Sequence, residues 1–243
     1  MRIVTLNTWK NEGRYARRLA LMAEGLTALA PDVVCLQEAF QAQSWDTAAH
    51  LGAALSLKVA AAPARRKVRV HDGQAVESAS GLAILSRDPP AAAGRVELPS
   101  CPADGERIAQ WAQILPDLRV LNLHLTHLRG PEAAALRGRQ LTLALAEGAP
   151  PRMPTVVAGD FNAPAMALEL ADLAPALDPD APATLQGERL CQAQPGGRAI
   201  DHLALVGPGI WRVVGRFNSL NQPDADGFFP SDHACVVMDI ERT

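Results

Sequence analysis

Gly159-Asp160-Phe161-Asn162 directly follows the apolar run Thr155-Val156-Val157-Ala158. A strand ending there delivers Asp160 and Asn162 two residues apart, on one side of the chain. The carboxylate is a charged acceptor, and the amide both donates and accepts. Together they suit a site that holds a water beside a negatively charged group. Four other segments carry polar ends of the same kind. Arg2-Ile3-Val4-Thr5-Leu6 leads to Asn7, and Asp32-Val33-Val34-Cys35-Leu36 leads to Gln37-Glu38. Val120-Leu121 runs through Asn122 and His124 to His127, and Ser231-Asp232-His233 opens the run Ala234-Cys235-Val236-Val237-Met238. Five β-like segments of this kind predict polar groups gathered at one edge of a sheet.

The residue types narrow the chemistry. Glu38 follows an apolar strand, where an unpaired charge is costly and a hard cation justifies it. Magnesium, with manganese as the substitute, prefers oxygen ligands and keeps several waters, so one or two carboxylates suffice. Asn7, one strand over, can orient Glu38 or a phosphate. His233 adjoins Asp232, and a second Asp-His pair occurs at Asp201-His202. Strand neighbours point opposite ways, so the useful partnership is across strands, with Asp201 holding the His233 imidazole. A carboxylate on one ring nitrogen raises basicity at the other, as a general base on water requires. His202 then faces away as a structural residue. Asn122 and His124 share a face opposite Leu121, Leu123 and Leu125, and His124 can donate to a phosphoryl oxygen as charge grows there.

The elements that must position these groups follow from periodicity. Apolar residues at helical spacing predict a helix over 11–30, stopped by Pro31, and a second over 44–55. A third over 132–147 is opened by Pro131 and closed by Gly148. Strands are expected near 57–61, 66–70, 81–86, 199–206, 210–215 and 234–240, with His71-Asp72-Gly73 as a turn and 107–115 and 118–126 as a hairpin around Pro116-Asp117. Hairpins joined to helical crossovers predict an α+β fold, two mixed sheets face to face with helices outside.

Bulk properties bound the rest. The 243 residues suffice for one substantial domain, and 48% apolar with 20% charged residues is ordinary globular composition. A net charge of −3 gives no global attraction to nucleic acid or anionic lipid. The basic stretch Arg65-Arg66-Lys67-Val68-Arg69 is expected to be a charge-protected edge strand or hairpin, with polyanion contact the other reading. Cys35, Cys101, Cys191 and Cys235 lack zinc or disulfide spacing. The start lacks a leader pattern and no apolar run can span a bilayer, so the expected compartment is cytoplasmic.

Leu6-Asn7-Thr8-Trp9, Leu36-Gln37-Glu38, the strand 81–87, Asn122-Leu123-His124-Leu125, Gly159-Asp160-Phe161-Asn162, Ile200-Asp201-His202 and Ser231-Asp232-His233 together span residues 6–233. This set resembles the endonuclease/exonuclease/phosphatase superfamily, which includes deoxyribonuclease I, exonuclease III-type enzymes and neutral sphingomyelinases. The resemblance implies a single domain over 1–243, a four-layer αββα sandwich, and divalent-metal hydrolysis of a phosphoester. It implies that Glu38, Asn7 and Asp232 hold magnesium or manganese, and that Asn7, His124, Asn162 and, on a weaker match, Arg107 hold phosphate. Asp160 or His233, paired with Asp201, activates water. Trp9 stands where exonuclease III-type enzymes carry an aspartate, and Ala79-Ser80 replace their tyrosine. Asn-X-Trp is closer to the sphingomyelinase-like branch. A phosphodiesterase acting on a phospholipid-like, nucleotide or nucleic-acid substrate is the leading expectation, with no obligate protein partner. A phosphomonoesterase on a small metabolite and a non-catalytic binding module are the alternatives.

Overall fold

Period-two alternation in the strands is resolved by the structure, a computed structural model describing residues 1–187 and 198–243, into an outer face and an inner seam. Cys191 lies outside the described residues. The chain runs β1 (Arg2–Asn7), α1 (Tyr15–Leu29), β2 (Val33–Ala42), β3 (Trp45–Asp46), α2 (Thr47–Leu55), β4 (Lys58–Ala62), β5 (Lys67–His71) and β6 (Gln74–Ser86). It continues with β7 (Ala92–Leu98), β8 (Arg107–Leu115), β9 (Leu118–His124), α3 (Pro131–Gly148), β10 (Thr155–Asp160), β11 (Asp201–Val206), β12 (Trp211–Ser219) and β13 (Cys235–Arg242). One sheet has eight strands in the order β12-β13-β1-β2-β6-β4, with β3 on β2 and β5 on β6; the other has five, β11-β10-β9-β8-β7.

Three apolar layers build the expected αββα sandwich. Val4, Leu6, Val34 and Leu36 pack outward against Leu19, Met22 and Leu26 of α1 and Leu51 of α2. Leu121, Leu123 and Val157 pack outward against Leu141 and Ala144 of α3. Ile3, Val33, Cys35, Val120, Val156, Ala158, Leu203, Val236 and Met238 fill the seam between the sheets. Each strand therefore shows one parity to a helix and the other to the opposite sheet. No helix among the described residues is long and apolar enough to cross a membrane.

The seam also carries polar pins. Asn122, fully buried, donates from Nδ2 to Leu36 O at 3.0 Å and Ala83 O at 3.1 Å, and accepts from Gln37 Nε2 at 2.7 Å. Those bonds tie β9 of one sheet to β2 and β6 of the other. Gln110 Nε2 on β8 likewise donates to Ala60 O on β4 at 2.8 Å.

Helix ends shift by a few residues, β3 takes the start of the helix expected over 44–55, and β12 runs on to Ser219; three further elements also differ. The strand expected to end at Gln37-Glu38 continues to Ala42. Between Leu36↔Ala83 and Ala39↔Gly81 it takes three steps against two on β6, a bulge, and Glu38 lies there with φ +53°. β6 begins at Gln74 rather than near 81, because the two-residue turn Asp72-Gly73, both with positive φ, pairs it with β5 from His71 onward. β7 was not expected at all: its small residues alternate weakly, and pairing with β8 holds it in place.

Gly159 fixes the approach of β10 to β9. Its φ is +148°, and a Cβ there would overlap the Leu123 carbonyl. Gly159→Ala is expected to cost about 3 kcal/mol, from backbone strain and overpacking together, measurable by denaturant unfolding.

Candidate active site

Where the seam strands reach the open end of the sandwich, their apolar residues give way to polar ones of the same parity. Ile3 and Thr5 are succeeded by Asn7, Val120 and Asn122 by His124, and Val156 and Ala158 by Asp160. Register places Asp160 opposite both His124 and Asp201. Asp160 is 2% exposed and forms the hub. Its Oδ2 accepts from Asn7 Nδ2 at 3.0 Å across the seam, and its Oδ1 accepts from the Asn162 backbone N–H at 2.9 Å. His124 Nε2 lies 3.5 Å and His233 Nε2 4.0 Å from Asp160 Oδ2. His233 Nδ1 is held by Asp201 Oδ2 at 2.8 Å. That bond sets the tautomer and turns Nε2 toward Asp160, with Asp232 Oδ1 also at 4.0 Å.

Electrostatics follow from burial among like charges. Burial, with the Asp201 carboxylate beside it, pushes Asp160 up to about 7. Burial opposes charge on His233, but Asp201, with Asp160 and Asp232 behind it, outweighs that and raises His233 to about 10. His233 is therefore charged near pH 7, beside a carboxyl that is only partly ionised there. His124 is driven well below the ordinary imidazole value by burial and by the nearby cations Arg107, Arg65 and Lys10. It is therefore a neutral donor or acceptor near pH 7.

The residues expected to hold a metal come from three places. Glu38 is thrown out of the β2 alternation by its bulge, and its side chain is 14% exposed. Asn7 Oδ1 accepts from Trp9 N at 3.0 Å. Ser231 Oγ donates to Asn7 O at 2.6 Å, which brings Asp232 beside the end of β1. Asn162, with φ +52°, donates from Nδ2 to Leu125 O at 3.1 Å, so its main-chain N–H is the group that reaches Asp160.

Arg107 stands behind the site. Its fork grips Asp104 Oδ1 at 2.9 and 2.6 Å, approaches His127 Nδ1 at 2.9 Å, and donates to the His124 carbonyl at 3.4 Å. His202 faces away, against Phe161, with Nε2 2.9 Å from Ala163 O.

Two residues escaped the sequence reading. Lys10 follows Trp9 in a pair of left-handed residues and sets Nζ 3.2 Å from Glu38 Oε2. Nothing in strand alternation reveals it, because it lies in a loop. Arg18 sits on a helix, where a basic residue reads as solvent-facing, yet it is 2% exposed. Its five N–H groups donate to Glu12 O, Thr8 O, Pro230 O, Trp9 O and Lys10 O at 2.8–3.3 Å. The guanidinium thus moulds the loop that presents Lys10.

The family model of the Endonuclease/Exonuclease/phosphatase family matches residues 4–233. No curated protein matches the chain. Among solved structures, the endonuclease/exonuclease/phosphatase from Beutenbergia cavernae DSM 12333 superposes with TM-score 0.75 at 23% identity, covering 100% of this chain and 71% of that one. A functionally unknown conserved protein from Enterococcus faecalis V583 gives TM-score 0.70 at 21% identity, with 100% of both chains covered. The human Nocturnin catalytic domain with bound sulfate anion gives TM-score 0.70 at 19% identity, covering 100% of this chain and 94% of that one. These likenesses establish a common fold.

Proposed function

The chain belongs to the endonuclease/exonuclease/phosphatase family, and on that premise we propose that it is a divalent-metal-dependent phosphodiesterase. The observation that carries this reading is the Asp160 hub. A buried carboxylate raised to about 7 stands beside an imidazole oriented by a second carboxylate. A general base works best with its pKa near the working pH. Asp160 and His233 act as one unit: Asp160 takes the proton of an attacking water beside the His233 imidazolium, which Asp201 holds in place. Asn7 and the Asn162 N–H aim the carboxylate. His124, neutral and 8% exposed, donates to a non-bridging phosphoryl oxygen. Arg107 acts through His124 by holding its backbone. The human Nocturnin catalytic domain, which has this fold, carries a bound sulfate anion.

The donor set fits a hard cation. Asn7, Glu38 and Asp232 offer oxygen only, and the Lys10 ammonium on Glu38 shows that the carboxylate already draws positive charge. Asp160, Asp201 and His233 have ligand atoms mutually within 4.8 Å. In that trio Asp201 is hydrogen-bonded to His233, so we assign it to proton transfer and the cation to the Glu38–Asp232 side. Magnesium or manganese bound there would polarise the phosphoryl oxygen as a Lewis acid.

The test is hydrolysis of bis(p-nitrophenyl) phosphate beside p-nitrophenyl phosphate, with and without magnesium or manganese. Metal-dependent cleavage of the diester is expected. Turnover of the monoester alone would replace the reading with a phosphatase. Glu38→Gln is expected to weaken metal affinity by at least about 10- to 100-fold, the cost of losing merely an outer-sphere partner elsewhere. Calorimetric metal titration checks this independently of activity, and unchanged affinity would remove Glu38 from the metal site.

A further inference from the structure

Beside His124 lies a cleft that extends past the groups the proposed chemistry uses. Arg65, Ser80, Glu106, Arg107 and His124 contribute to its walls. Its cations differ in state. Arg107 is neutralised by Asp104, its guanidinium held at 2.6 Å. Arg65 is not so held. Its backbone is pinned with φ +50°, the N–H donating to Glu106 Oε2 at 2.6 Å and the carbonyl accepting from Arg69 Nη2 at 3.1 Å. Its side chain passes over Gly105, with Nε 3.8 Å from where a Cβ would stand. Among the described residues the guanidinium makes no hydrogen bond or ion pair, and it is half-buried. Glu106, the acidic group in the wall, is engaged by the Arg65 N–H and lies 3.5 Å from Arg95. The cleft therefore presents a guanidinium without a hydrogen-bonded partner, carried on a pinned backbone, next to the His124 edge of the site, in a chain whose net charge is −3.

We propose that Arg65 forms a second anion subsite, so that the substrate carries another phosphate close to the ester that is cut. This rests on the phosphodiesterase reading and deepens it. A planar fork matches the oxygens of a phosphate two at a time. The same cation repels a quaternary ammonium, so the geometry favours a nucleotide-type substrate over a choline-type lipid headgroup. The neighbouring phosphate can be a terminal monoester or an internal diester of a strand, and the assay separates the two.

Wild type and Arg65→Gln are compared on dithymidine monophosphate, on the same dinucleotide bearing a terminal phosphate, and on the trinucleotide with a second internal diester. Wild type is expected to prefer one of the two longer-charged substrates by about tenfold or more in kcat/KM, as one charged hydrogen-bonded contact provides. Arg65→Gln is expected to bring that ratio close to one. Arg65→Glu should raise turnover of p-nitrophenyl phosphorylcholine relative to bis(p-nitrophenyl) phosphate, a gain that misfolding cannot produce. Ratios identical in wild type and both variants overturn the subsite. If wild type cleaves no diester, the phosphodiesterase reading fails separately. The subsite is then decided by calorimetric binding of pyrophosphate, expected to be about tenfold weaker in Arg65→Gln; equal binding overturns it.

Discussion

Asp160→Asn is expected to lower kcat for diester hydrolysis by about 10^3-fold, within the 10^2- to 10^4-fold range typical of a positioned proton acceptor. The new amide keeps the size of the side chain and can accept from Asn7 or from the Asn162 N–H but not from both, and it cannot take a proton. His233→Ala should cost a similar factor, because it removes the other half of the same unit. The double variant should lose little more than the worse single one, since groups that act together are not additive. Two independent losses multiplying in the double variant would sink the account of Asp160 and His233 as one unit. Stability should move the other way. Folding holds the Asp160 carboxyl above its ordinary value, so in metal-free protein the folded state binds the extra proton between pH 3.8 and about 7. This group's contribution to stability therefore falls as pH rises through that window. Asp160→Asn removes that slope while leaving one buried donor without its acceptor, so its melting temperature relative to wild type should rise as pH increases through the window.

Arg18→Met is expected to destabilise the protein by about 3–5 kcal/mol, the range for removing one partner from a buried charged network. The replacement keeps the apolar stem but leaves five carbonyls, those of Thr8, Trp9, Lys10, Glu12 and Pro230, without their shared donor. Burial lowers the Arg18 pKa to about 10, with Asp232 the foremost of the acidic groups that restrain the fall, so the guanidinium stays charged at neutral pH. At about 2–4 °C per kcal/mol for a domain of this size, the melting temperature should drop by about 10 °C. Metal affinity should fall with it, because the same bonds fix the loop bearing Lys10 and the segment entering Asp232. Arg18→Lys should not rescue, since an ammonium has three donors from one point and cannot reach five carbonyls. A melting temperature within 2 °C of wild type in Arg18→Met would show that the loop holds itself, by the same per-kcal scale.

Strand periodicity made much of this legible. Once Thr155–Asp160 and Leu118–His124 are strands, parity alone puts Asp160 and His124 on the seam face and Leu121 and Leu123 on the helix face. The Asp201–His233 bond follows from the same rule, and so does the turning-away of His202. Features that depend on a partner strand or a wrapped loop were not legible. The bulge at Glu38 exists only in register with Gly81 and Ala83. Lys10 and Arg65 lie at left-handed positions between elements, where no period aims a side chain. β7 is too weakly patterned to announce itself without β8.

The bond from Asn7 to Asp160 joins β1 of one sheet to β10 of the other. The cluster is thus assembled across a boundary, and its internal distances are set by how far apart the two halves of the sandwich rest. Asn122 and Gln110 act as spacers of that gap. A change deep in the seam, remote from every polar group at the open end, would therefore register as altered catalysis before it registered as altered shape. The working end of the molecule serves as a gauge of its own interior.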